Sequence, residues 1–251
     1  MKTVLALLVV LLAIAVPASA LSIDFGRTGQ TVESGYEDFS AAAPPTTLPM
    51  EYSPISRTFG TNVVTLTAVD GGGDNPARLS NANRTTAGVD VAMRDGFRAE
   101  KFSGTTVITK SVAGYDNEIP ILKVEVTGLA VSTQYTLEVA SWDAFIVNAH
   151  YQILRPTSGS GTTGPTVPYQ VRGGSSTPVY APADFEATAS GVFTTSATGL
   201  LTFDIVYDQA ASNNTSDPQA WLNAMIITQV PEPATMALVL LGGLGVLRRR
   251  R

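Results

Sequence analysis

Between its two apolar ends, this chain has no segment in which apolar residues recur at helical spacing. Instead, about nine short segments rich in β-branched and aromatic residues alternate with turn-forming residues. The clearest of these segments are 21–26, 61–69, 119–126, 134–142, 145–154, 184–193, 200–207 and 221–228. Short strands at irregular spacing predict an all-β fold, a two-sheet antiparallel β-sandwich of the jelly-roll type, rather than an α/β or repeat architecture.

The first 20 residues have the layout of an export signal. Lys2 precedes an apolar run from Val4 to Val16, and the small residues Ala18-Ser19-Ala20 follow. This order predicts a signal peptide, residues 1–20, that is cleaved after Ala20. An N-terminal membrane anchor is the alternative, but the apolar run is short and the cleavage pattern follows it directly.

The last 22 residues, 230–251, have the layout of a second targeting signal. The motif Pro231, Glu232 and Pro233 precedes an apolar run from 234 to 247. The chain closes with Arg248, Arg249, Arg250 and Arg251. As a helix the run would be about 21 Å long, which is short for a hydrocarbon core of about 30 Å, so we expect a short C-terminal transmembrane helix whose flanking arginines snorkel. The arginines predict a cytoplasmic end, with everything before residue 230 outside.

These three parts, in this order, resemble a PEP-CTERM sorting signal. The polar segment 29–39 also resembles an opening that PEP-CTERM proteins share. The resemblance implies a precursor held transiently in the inner membrane and processed by an exosortase, a membrane-embedded transpeptidase. It also implies a final place in the cell envelope or extracellular matrix. The alternatives are an ordinary tail anchor or a buried apolar helix.

Residues 21–229, between the two signals, are predicted to form one β-sandwich domain. They carry 11 basic and 20 acidic residues, a net charge of −9. Such a surface repels phosphate backbones, so nucleic acid is not an expected partner. The chain has no cysteine, which leaves stability to the core. Its one histidine, His150, lies in a strand-like segment and is interpreted as structural.

The domain also resembles galactose-binding-like and malectin-like jelly rolls. The resemblance rests on the opening Ile23-Asp24-Phe25-Gly26, on the pair of segments around 127–139 and on a closing 222–227 strand. The segments 119–126 and 134–142 are the clearest pair, and 127–133 is interpreted as a hairpin-like connection of the kind that turns the chain between sheets in β-sandwich modules. The resemblance implies a polysaccharide ligand.

Candidate ligand residues are rings that could stack on a sugar and acids that could accept its hydroxyl protons: Trp142, Asp143 and Tyr36. Core packing is the alternative for each ring. Asp70, Asp74 and Asn75 flank three glycines and offer oxygen ligands, so this segment is either a plain turn or a Ca²⁺ loop. No other cofactor is expected.

The sequence therefore predicts an exported, exosortase-sorted envelope or matrix protein that is not an enzyme and whose β-sandwich binds polysaccharide. Two alternatives stay open. One is a purely structural surface protein. The other is a secreted polysaccharide-active enzyme, because the domain has enough acids to supply a catalytic pair.

Overall fold

The structure is a computed structural model, and it describes residues 20–28, 32, 34–41, 54–70, 77–83, 95–103, 106–107, 120–143, 150–173, 185, 187–212 and 219–231. Within these ranges all regular secondary structure is β. The strands are β1 (Ala20–Arg27), β2 (Glu37–Ala41), β3 (Ile55–Phe59), β4 (Asn62–Asp70), β5 (Ala77–Asn83), β6 (Asp95–Ser103), β7 (Thr106–Val107), β8 (Pro120–Thr127), β9 (Gln134–Ala140), β10 (Trp142–Asp143), β11 (Tyr151–Pro156), β12 (Val167–Gln170), β13 (Arg172–Gly173), β14 (Ala189–Thr194), β15 (Leu201–Tyr207), β16 (Gln219–Leu222) and β17 (Ala224–Gln229).

Two large sheets enclose one core. The first has the order β14-β9-β17-β1-β2, and the second has the order β12-β11-β15-β8-β4-β3. All pairs in both sheets are antiparallel except β1 with β2, which is parallel. Alternate residues of β8 and β9 are buried, as expected for strands with one face on a core. The predicted all-β antiparallel sandwich is confirmed.

A smaller sheet completes the core beside the two large ones. Its order is β16-β6-β5, with β7 paired to β6, and β10 pairs in parallel with β13. Phe97 of β6 packs edge-on against Phe39 of β2, with ring centroids 5.6 Å apart, and Phe39 lies 5.2 Å from Phe25 of β1. All three rings are buried. This aromatic cluster joins the small sheet to the first large sheet.

The connection from β8 to β9 crosses from the second sheet to the first, so the predicted turn between sheets is confirmed, whereas a hairpin is wrong because β8 and β9 are not paired with each other. Tyr135, at the start of β9, accepts a hydrogen bond at its hydroxyl from the backbone N–H of Ala130, 3.0 Å away. This contact has the form of a tyrosine corner, in which a buried ring holds the preceding turn against the strand. Gly128 lies so close to the carbonyl oxygen of Thr61 that a side chain would collide with it.

The predicted closing strand 221–228 is wrong as a single element. It consists of β16 and β17, which belong to different sheets and are separated by Asn223. Apolar residues lie on both sides of Asn223, as Trp221-Leu222 and Ala224-Met225-Ile226-Ile227, so the apolar pattern alone does not reveal the break. The predicted strands at 145–154 and 184–193 begin later than expected, at Tyr151 and Ala189. β2, β3, β5, β6 and β12 were not predicted as strands.

Candidate functional site

The strand that leads into the predicted sorting motif lies in the middle of the first sheet. β17 is paired on one side with β9 and on the other with β1, and its core-facing residues Met225 and Ile227 are buried. The next residue after the strand, Val230, donates its backbone N–H to the carbonyl oxygen of Gln134 at 2.9 Å. Pro231 is exposed. The motif therefore begins at the point where the paired strand ends.

The rest of the C-terminal signal, 232–251, lies outside the described residues. This range includes Glu232, Pro233 and Arg248 to Arg251. Among the residues that are described, no helix has the length and apolar character needed to cross a bilayer. The transmembrane helix and the role of the four arginines as a membrane stop thus remain predictions.

The predicted signal-peptide junction lies beside the C-terminal exit. Ala20 is the first residue of β1 and pairs with Thr228 of β17, and Leu21 pairs with Ile227. Residues 1–19 lie outside the described part of the chain. Cleavage after Ala20 would remove only one residue from β1. Because β1 and β17 are antiparallel neighbours, the two ends of the domain at which processing is predicted lie side by side at one end of the sandwich.

Trp142 does not present the exposed ring that the ligand prediction required. It is 1% exposed and packs with Ala140 and Ala224. Its backbone N–H donates to Oδ1 of Asn223 at 2.7 Å, so backbone and ring are both held inside the domain. A ring that stacks on a sugar needs one free face, so the expectation of an exposed Trp142 is corrected. Asp143 follows it in β10 and pairs with Gly173.

Tyr36 was also predicted as a ligand residue, and the structure brings it to the same cluster as Trp142. Its ring pairs with that of Phe185, with centroids 6.2 Å apart and planes tilted by 43°. Both rings are half-buried and pack over Ala140, Trp142 and Ala224. Sequence reasoning missed Phe185 because it assigned that residue to a strand. In fact β14 begins only at Ala189.

The predicted metal residues are not brought together within the described chain. Asp70 is the last residue of β4 and pairs with Pro120, whereas Asp74 and Asn75 lie outside the described ranges. Among the described residues there is no group of three acidic, histidine or cysteine side chains suited to a metal. The Ca²⁺ loop stays a prediction.

His150 belongs to a buried polar chain between the sheets. Its Nε2 lies 2.7 Å from the carbonyl oxygen of Gln219 and donates to it, because a carbonyl only accepts. Gln152 Nε2 donates to the same oxygen at 3.3 Å, and Tyr169 donates its hydroxyl to Gln152 Oε1 at 2.7 Å. Burial raises the pKa of Tyr169 well above its usual range, and a hydrogen bond with Ser141 opposes this with a smaller effect. This series of hydrogen bonds joins strands of different sheets, which fits a structural role for His150.

The comparisons with known proteins bear on the C-terminal segment. Residues 229–251 match the family described as PEP-CTERM protein-sorting motif. The match begins at the last residue of β17. The C-terminal signal is thus that of an exported, membrane-anchored precursor sorted by an exosortase. No curated protein matches the chain.

Two solved structures show a weak likeness to the fold. One is the enzymatically active domain of tailspike protein 4 of bacteriophage CBA120, with a TM-score of 0.35 and 8% identity over 66% of this chain and 19% of the tailspike chain. The other is a family 11 carbohydrate-binding module from Clostridium thermocellum in complex with a β-1,3-1,4-mixed-linked tetrasaccharide. Its TM-score is 0.26, with 9% identity over 66% of this chain and 88% of the module. The chain spans about a fifth of the tailspike's length, and at these TM-scores neither likeness carries an argument.

Proposed function

We propose that an exosortase cuts the chain close to Pro231 and that the β-sandwich is then displayed in the cell envelope or extracellular matrix. The observation that carries this proposal is the position of β17. The strand is paired on both sides and ends at Gln229, so only Val230, which is hydrogen-bonded to Gln134, stands between it and the exposed Pro231. A cut after this point removes no described strand from the domain.

Processing is tested by the mass of the intact protein recovered from the envelope of an exosortase-competent host. The expected protein begins near Leu21 and has lost Arg248 to Arg251 together with the apolar run. The same gene expressed in a host that lacks the exosortase is the control, and there the chain should still end at Arg251. Recovery of full-length protein in both hosts would leave a simple membrane anchor and contradict the proposal.

The displayed domain acts by binding polysaccharide and not by catalysis. Support comes from the Tyr36 and Phe185 rings, which are half-buried and therefore keep part of their surface accessible. Trp142 beneath them supplies a rigid floor, since it is buried and its backbone is hydrogen-bonded. A fixed pair of rings loses little conformational entropy when a sugar stacks on it. His150 is bonded to a backbone carbonyl, and this favours a structural role over that of a catalytic base.

Binding of this kind is weak per site, about micromolar to millimolar. Many copies displayed on one surface would raise the effective affinity by avidity. Retention of the purified protein in gels that contain the host's extracellular polysaccharide measures the interaction. Migration that is the same with and without the polysaccharide would contradict binding and leave the structural surface protein as the alternative.

A further inference from the structure

One end of the sandwich is formed by turns that contact one another and surround both processed ends. We call it the terminal rim, and it consists of residues 20–22, 60–62, 127–134, 157–166, 195–200 and 228–231. Ser132 donates its N–H to the carbonyl of Ser196 at 3.1 Å, and Thr194 donates to Thr163 at 2.8 Å. Within the rim, the backbone N–H of Val230 donates to the carbonyl of Gln134 and so joins segment 228–231 to segment 127–134. The rim is therefore one connected surface from which the sorting signal departs.

The terminal rim contains no Asp, Glu, Lys, Arg or His. At the chain's overall charged content of 15%, a set of this size would be expected to carry several. Among the described residues, charged side chains begin just beyond the rim, with Glu37 at the start of β2, Glu125 of β8 and Arg155 of β11. At the opposite end of β15, the described turn carries the acid Asp208, whose carboxylate accepts from the N–H groups of Ala210 and Ala211 at 3.1 Å. The turns of the rim itself are thus uncharged.

Several hydroxyl groups of the rim are bonded to the rim's own backbone, while that of Thr157 donates to the Asp204 carboxylate at 2.6 Å. Thr195 donates its hydroxyl to the carbonyl of Ala130 at 2.6 Å, and Thr133 donates to Val131 at 2.9 Å. Ser160 bonds the carbonyl of Thr157 at 2.7 Å. Hydroxyls that already have partners lose little when bulk water is removed, whereas an isolated charge loses much. This rim can therefore approach a poorly hydrated surface at low cost.

An exposed apolar side chain lies on the rim. Val131, in the corner between β8 and β9, is 58% exposed, the largest value recorded for a large hydrophobic residue of the described chain. Val192 of β14, 46% exposed, lies at the level of Thr136, close to the same end. Moving an exposed valine side chain from water into an apolar environment is favourable, and an uncharged surface around it adds no cost of burying a charge.

The length of the sorting signal limits which partner can lie there. Three residues lie between Val230 and Ala234, the first residue of the apolar run, so four residue-to-residue steps join the two. Fully extended, they reach about 14 Å. The headgroup layer on each side of a bilayer is about 5–7 Å thick, so the domain cannot stand far from the membrane.

We propose that in the uncleaved precursor the terminal rim lies on the lipid headgroup layer, with Val131 entering the interface. This inference rests on the proposed membrane-anchored precursor. The rim then faces the bilayer, and this contact fixes the orientation of the sandwich that carries the ring pair of Tyr36 and Phe185. Contact between the rim and the lipid surface also keeps Pro231 close to the bilayer, within reach of a membrane-embedded enzyme.

The absence of cysteine from the chain allows a direct test. The full-length variants Val131→Cys and Ala197→Cys place a fluorescent label on the rim, and Ala210→Cys places one after β15 at the opposite end. All three residues are exposed, so labelling should not disturb the core. Each variant is reconstituted in vesicles of phosphatidylethanolamine and phosphatidylglycerol that carry a nitroxide-labelled headgroup.

The expected result is quenching several-fold stronger at positions 131 and 197 than at 210. Adding Ala197→Glu to the 131-labelled chain should reduce its quenching, while Ala210→Glu should not. Equal quenching at all three positions, in chains that float with the vesicles, would overturn the rim proposal and leave the anchor intact. Chains that do not float would reject the anchor itself. If the rim labels are shielded only when exosortase is present in the vesicles, the rim binds the enzyme and the lipid proposal is wrong.

Discussion

The backbone N–H of Val230 donates to the carbonyl oxygen of Gln134 across 2.9 Å, and this is the last described bond between the domain and its sorting signal. One residue farther on, Pro231 has no N–H to donate and is exposed. The boundary between the folded domain and the signal therefore lies between these two residues. The sequence placed it one residue earlier, between 229 and 230.

The effect of C-terminal truncation on stability should depend on which side of this boundary the chain ends. A chain that ends at Val230 keeps β17 and should melt cooperatively, with a β-type circular dichroism spectrum. Ending the chain at Gln229 removes the bond to Gln134 and should lower the free energy of unfolding by about 0.5–1.5 kcal/mol. Ending it at Asn223 removes the buried Met225 and Ile227 and should abolish the cooperative transition. A non-cooperative chain ending at Val230 would show that the signal packs into the core.

The two kinds of aromatic residue in the ring cluster should respond differently to truncation to alanine. Trp142→Ala removes a buried ring and should cost roughly 3–5 kcal/mol, measured by chemical denaturation. Tyr36→Ala and Phe185→Ala remove half-buried rings, so they should cost less while abolishing retention on the polysaccharide. Val192→Ala, an exposed position on β14, is the matched control and should change neither property. Retention unchanged in both ring variants would exclude this pair as the ligand contact.

Asn223 should matter more for stability than an ordinary residue between two strands. Its Oδ1 accepts from the N–H of Trp142, and its own N–H donates to the carbonyl of Ala140 at 2.9 Å. Asn223→Ala leaves a buried N–H without this acceptor and should lower the free energy of unfolding by about 1–3 kcal/mol. Urea denaturation measures the loss. A change below about 0.5 kcal/mol would mean that the side chain does not fix the break between β16 and β17.

Stability should fall at alkaline pH in a way that depends on Tyr169. Burial raises its pKa above the usual value of 10.0, so the folded chain keeps a proton that the unfolded chain releases. The contribution of this group is complete below about pH 10 and is lost as the pH rises further. Tyr169→Phe should cost about 1–3 kcal/mol at neutral pH, because Gln152 Oε1 loses a donor. The same variant should show a shallower decline above pH 10, and an identical alkaline slope in both proteins would contradict this role.

The sequence predicted the strands whose signal is local. β4, β8, β9 and β15 were found because apolar and β-branched residues alternate along them. β2 and β3 were missed because each is only five residues long and is held by its neighbours rather than by a pattern of its own. The break at Asn223 was missed because apolar residues lie on both sides of it while the partner strands change.

The amino-acid sequence by itself determined the β class, the passage between sheets at 127–133 and the C-terminal sorting signal, because each of these is written in contiguous residues. Only the tertiary structure decided that Trp142 is buried, that Phe185 lies beside Tyr36, and that Ala20 pairs with Thr228. It also assembled uncharged turns from distant parts of the chain into one terminal rim. These relationships depend on strand pairing over long separations, which a one-dimensional pattern of polar and apolar residues does not specify.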